Sequence, residues 1–142
     1  MAHIDDVMSA AASVRHALAV GGYSTPGLDG FPRGCCGIAA ELLGLHLVEI
    51  GLGSWDQVGG QAPSGVATHA WIDQGGLIVD ITADQFDDID DAVIVTFDRS
   101  WYDRRFPETY RHRIGSRRAL GAAAAAWQAA DQRLLRERLA AR

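Results

Sequence analysis

The apolar residues of this chain change their spacing near Gly51, and that change bounds the fold. Before it they recur every three or four residues. Ile4, Val7, Met8, Ala11, Val14 and Leu18 predict a helix over 3–20, closed by Gly21-Gly22. Ala39, Leu42, Leu43, Leu47 and Ile50 predict a second helix from Cys35 or Cys36 to Ile50, closed by Gly51. That helix is almost wholly apolar, so it is expected at the centre of the core. The Gly- and Pro-rich residues 21–34 between them read as a loop.

Past Gly51 the pattern is that of short strands. Residues 54–60, 67–73, 77–82 and 92–97 are expected strands, and 106–114 could add an edge strand. A hairpin turn is expected around Gln74-Gly75-Gly76. The acidic run 87–91 reads as a solvated loop. Residues 117–141 predict a long helix with Ser116 as N-cap and Leu120, Ala123, Trp127, Ala130 and Leu134 as its apolar stripe. Its run Ala122–Ala126 is a strong helix former and carries no motif. Together these predict an α+β fold. A Cys-bearing central helix packs on an antiparallel sheet of about four strands, with helices at both ends of the chain.

The 142 residues fit one domain, 1–142, large enough to bury a core without disulfides or metals. The net charge of -5 argues against a nucleic-acid partner. No run approaches the roughly 20 apolar residues of a membrane span. The acidic start lacks the basic residues of a signal peptide, so a cytoplasmic setting is expected. Two adjacent cysteines make no disulfide framework. All 13 basic residues are Arg, which with the abundant Ala and Gly reads as compositional bias.

Chemistry concentrates at three places. Gly34-Cys35-Cys36-Gly37 stands where a loop ends and an apolar helix begins. Unpaired N–H groups and the positive end of the helix dipole favour a thiolate there, and the same groups could hold an oxyanion. His69 and Asp80 lie on consecutive expected strands. A turn centred on Gln74-Gly75 sets them directly opposite, on one side of the sheet. An Asp beside a His fixes its tautomer and stabilises the imidazolium. A turn displaced by one residue would break that opposition.

The order Cys36, His69, Asp80 resembles papain-like and transglutaminase-like cysteine enzymes, with Cys36 opening a helix and His69-Ala70-Trp71 on a strand. That triplet is also similar to one in the leader peptidases that mature lasso peptides. Phe31-Pro32-Arg33-Gly34-Cys35-Cys36-Gly37 and Asp80-Ile81-Thr82-Ala83-Asp84-Gln85-Phe86 resemble segments of small bacterial and phage proteins of the same class. The resemblance covers roughly 31–97. It implies a papain-like/transglutaminase-like core and acyl transfer through a catalytic triad. It implies Cys36 as the nucleophile in preference to Cys35, since the pattern places it just before Gly37; the residues by themselves leave either cysteine open. His69 is the base and Asp80 orients it.

Cys35, Gly37, Trp71 and Gln85 are expected around the substrate. Cys35 could equally be packing or a redox partner, Trp71 core, and Gln85 a holder of its loop. The chain departs from the papain-like pattern in having no Gln before Gln57. An oxyanion would then rest on backbone N–H groups or on Tyr23 or Ser24. His46 is expected to be half-buried, and His3, His16 and His112 to lie on the surface.

A peptide or protein substrate is expected, with no cofactor, no metal and no membrane. The long C-terminal helix could serve an oligomer or partner. Two other classes remain open: a non-catalytic protein-binding module on the same fold, and a structural zinc protein using the Cys, His and Asp side chains.

Overall fold

The expected elements form, and they fold around one five-stranded antiparallel sheet. A computed structural model describes residues 3–116 and 121–141. The order is α1 (Ile4–Ala19), α2 (Cys36–Glu49), β1 (Asp56–Gln61), β2 (Thr68–Gln74), β3 (Leu77–Asp80), β4 (Ile94–Thr96), α3 (Ser100–Arg105), β5 (Glu108–Arg113) and α4 (Ala122–Ala140). The strands lie in the order β4-β3-β2-β1-β5. The sheet therefore has five strands where about four were expected, because 108–113 pairs with Asp56 to Gly60 of β1 as an edge.

Both faces of the sheet are covered, which explains why His69 to Asp73 are buried without a break. On one face Ile72, Leu77 and Val79 pack with Ala39, Leu42, Leu43 and Leu47 of α2 and with Val7 and Val14 of α1. On the other, Val58, Trp71 and Ile78 pack with Tyr102 of α3 and Phe106 beyond it. Each fully buried Leu or Ile contributes roughly 1.5–3 kcal/mol. The stripes of α1 and α2 are as expected except at their margins, where Ile4, Met8 and Ile50 are exposed.

Three expectations are corrected. The β2–β3 turn centres on Gly75-Gly76, both at positive φ (57° and 93°). A two-residue turn with this geometry matches the twist of its strands, and two glycines adopt it without strain. It pairs Gln74 with Leu77 and Ile72 with Val79. His69 and Asp80 are therefore not directly opposite. In this register Asp80 falls opposite Trp71, and His69 is its diagonal neighbour on the same face.

Second, α3 was not expected. Its six residues are too few to show a helical period.

Third, α4 turns a different face inward. Asp131 and Leu135 are buried, whereas Trp127 is exposed. The reason is polar. Asp131 accepts hydrogen bonds from Ser24 N (2.5 Å), Thr25 N (2.8 Å) and the Thr25 hydroxyl, fixing the rotation of the helix. α4 is capped at Gly121, not at the expected Ser116. The expected helical residues 117–120, including Leu120, lie outside the described residues.

Candidate active site

Cys36 is the first residue of α2, with Cys35 as N-cap. The segments on either side of the site are tied together. Arg15 of α1 grips Asp84 with two hydrogen bonds (2.8 and 2.9 Å), donates to Ile81 O (2.7 Å), and lies over the Phe31 ring (4.9 Å). Arg33 donates to Gln85 O (3.2 Å). The loop that delivers Cys36 is thus fastened to the residues that follow β3.

His69 and Asp80 form the buried heart of the site. His69 Nε2 lies 2.6 Å from Asp80 Oδ2, and the two residues are 1% and 2% exposed. Asp80 has further donors. The Tyr102 hydroxyl donates to Oδ2 (2.8 Å), and Thr82 N donates to Oδ1 (2.9 Å). A charge so deeply buried needs this many partners. Around the imidazole stand Phe86 (5.1 Å between ring centroids), Phe106 (5.4 Å) and Trp71 (5.7 Å), with Tyr102 stacked nearly parallel at 6.4 Å.

Asp80 occupies Nε2, which leaves Nδ1 as the other working nitrogen. Among the described residues no group meets Nδ1 at hydrogen-bond geometry. Cys36 nevertheless bears on the titration of the ring. Burial lowers the proton affinity of His69. The Asp80 charge and hydrogen bond, followed by the Cys36 thiol, outweigh it and raise the pKa from 6.5 to about 9. α2 does not pack on the face of the sheet that carries His69. The body of α2 covers the sheet face carrying Ile72, whereas His69 belongs with Trp71 and Tyr102 on the other.

The two cysteines differ sharply. Cys35 is 2% exposed within the core, and burial, then the neighbouring Cys36, pushes its thiol up to about 11. Cys36 is only half-buried. Of the residues expected around a substrate, Cys35 and Trp71 are too enclosed to meet one without protein movement. Gln85 donates to Thr82 O (2.9 Å) and holds its own turn. Gly37 opens onto a groove of about 980 Å³ between α2 and α4, with Ile38, Leu45 and Trp127 among its walls.

Tyr23 and Ser24 face elsewhere, the first donating to Ala17 O (2.9 Å) and the second bound to Asp131. His46 is half-buried as expected, and burial lowers its pKa. His112 is not a plain surface residue. It is half-buried, with Nε2 3.4 Å from Glu41 Oε1.

Two residues at the site escaped the sequence reading. Tyr102 sits on the unread α3, although Asp98 two residues ahead of Ser100 was a usable helix-entry signal and does accept from Ser100 N (3.0 Å). Gln57, 6% exposed on β1, donates to the Tyr110 hydroxyl (2.8 Å) and lies against Gly37. Nothing in its strand marked it.

Among the described residues no three His, Cys, Asp or Glu side chains are grouped as a metal site. No described helix is long and apolar enough to cross a membrane. Compared with family models, curated proteins and solved structures, the chain matches none.

Proposed function

We propose that this protein performs cysteine-dependent acyl transfer on an amide or ester, with Cys36 as nucleophile, His69 as base and acid, and Asp80 orienting His69. The α+β core is then of papain-like/transglutaminase-like type. One observation carries the reading. A buried imidazole, held by a carboxylate through one nitrogen, has its other nitrogen unpaired and is acted on by a half-exposed thiol at a helix N-terminus. Apo sites commonly hold such pairs beyond good hydrogen-bond distance and tighten when substrate binds.

Cys36 Sγ, its proton passed to His69 Nδ1, attacks the carbonyl carbon. The tetrahedral oxyanion rests against the N–H groups that open α2. Collapse breaks the bond to the amine or alcohol, which leaves with the proton from Nδ1. The thioester is then attacked by water or an amine, which gives its proton to Nδ1 as the thiolate departs. Water makes the protein a peptidase or an amidohydrolase, including a deamidase, and an amine makes it a transglutaminase or acyltransferase. Gly37, the residue after Cys36, lines one end of a groove roomy enough for a peptide or protein segment, although neither Cys36 nor His69 is among its walls.

Intact-mass measurement against a panel of peptides and activated esters is the test. The expected result is one acyl group on Cys36, absent in Cys36→Ser and slowed about 100-fold or more in His69→Ala. No adduct, together with alkylation of Cys36 no faster than a free thiol, rejects the enzyme reading. The groove would then favour a second reading, a non-catalytic module that binds an apolar protein segment.

A further inference from the structure

Asp80 Oδ2 serves two donors at once. His69 Nε2 stands 2.6 Å from it and the Tyr102 hydroxyl 2.8 Å. We propose that Tyr102 is a positioning residue of this site, fixing the Asp80 carboxylate and moderating its pull on His69 by sharing the same oxygen. The inference rests on the acyl-transfer reading for its meaning in catalysis, but its geometry stands apart from that reading.

A carboxylate oxygen has limited negative charge to share. Each donor drawn to it reduces what it offers the next. The Tyr102 ring is 2% exposed, held against Trp71 (4.6 Å) and Trp101 (4.9 Å), so its hydroxyl is not free to swing away. Burial, then the Asp80 charge, raises the phenol far above its ordinary pKa, so it remains a donor throughout the working range. With Thr82 N on Oδ1, the carboxylate is gripped on both oxygens. Its plane, and with it the direction of His69, is set from α3 and from the turn after β3.

Among the described residues, Asp80 and Cys36 are the titratable groups that bear on the imidazole. Cys36 approaches from α2, Asp80 from β3 and Tyr102 from α3, while Phe86 and Phe106 bring no charge. Arg105 lies behind the aromatic wall, over Phe86, Trp101 and Phe106, and is paired with Asp88 (2.5 Å).

The prediction has a definite sign. Tyr102→Phe keeps the ring and removes the shared donor, so Oδ2 pulls harder on His69. Its titration should move up by about one pH unit. Replacing Tyr102 with 3,5-difluorotyrosine makes a more acidic phenol and a stronger donor, so the titration should move down. The measurement is NMR titration of isotopically labelled histidine in the full chain, with the His69 signal assigned by its loss in His69→Gln. The pH profile of Cys36 alkylation should follow, its alkaline limb rising in Tyr102→Phe.

A purely structural Tyr102 would lower the melting temperature and leave both profiles in place. An unmoved His69 titration in both variants, or movement in the same direction in both, overturns the inference. If Tyr102→Phe fails to fold, the difluorotyrosine protein decides the matter by its sign alone. A shifted titration with no acylation of Cys36 would reject the proposed function and keep the inference. Normal acylation with no shift would do the reverse.

Discussion

His69 Nε2 lies 2.6 Å from Asp80 Oδ2 across a diagonal of the β2–β3 ladder, with both side chains buried on the face that α3 covers. Because the strand period is two, moving the turn by one residue changed which residue faces Asp80 but not which side of the sheet it is on. The long imidazole spans the diagonal.

This pairing makes stability depend on pH. Folding raises the pKa of His69 from 6.5 to about 9. A raised folded value means that the stabilisation is complete below about pH 6.5 and is lost as pH climbs through about 9. Urea unfolding at a series of pH values should show roughly 3 kcal/mol lost across that window. Asp80→Asn should flatten the slope. A flat profile in the parent protein would show that His69 folds neutral.

The cysteines should react very differently. Iodoacetamide at pH 7.5 followed by peptide mapping should label Cys36 at least about tenfold faster than Cys35. Cys35 is buried and its thiol is pushed up to about 11, so little thiolate exists there to react. Cys35→Ala should leave the fast phase intact, and Cys36→Ala should remove it. Equal rates would mean that the start of α2 opens in solution.

Gly60 cannot carry a side chain. It pairs with His69 in the ladder, and a Cβ there would meet the Phe106 carbonyl oxygen at 2.0 Å. Backbone cannot step aside as a side chain can. Gly60→Ala should cost roughly 1–3 kcal/mol or more, read as a lower urea midpoint. Gly30→Ala meets nothing within 4 Å and should be nearly neutral. Equal effects of the two would remove the steric explanation.

Asp131 should matter as a clamp. It is 1% exposed and ties the start of the 21–34 loop to α4. Asp131→Ala leaves buried N–H groups unpaired and should cost roughly 2–4 kcal/mol. Limited proteolysis should then cut within 21–34, where the parent protein resists. An uncut loop at unchanged stability would show that water replaces the carboxylate easily.

Much of the fold was legible because glycine punctuates it. α1 and α2 end where Gly21 and Gly51 adopt positive φ (83° and 84°), and their apolar stripes are long enough to count. The strands were legible by composition, and Cys36, His69 and Asp80 by type and order. The turn was misplaced by one residue because Gln74-Gly75 and Gly75-Gly76 both read as turns. Only the second gives both central residues the freedom of glycine. α4 was rotated because hydrophobic spacing ignores a buried carboxylate, and Asp131 is what turns inward.

Local spacing in the sequence thus determined which segments are helix or strand and which side of β2 carries His69. Those properties depend on neighbours a few residues away. Tertiary structure decided that Cys35 is sealed and Cys36 is not, and that Tyr102 shares an oxygen of Asp80 with His69. It also placed Gln57 against Gly37. Each of these joins segments distant in sequence. Burial and hydrogen bonding depend on how whole elements pack, which no short-range pattern records.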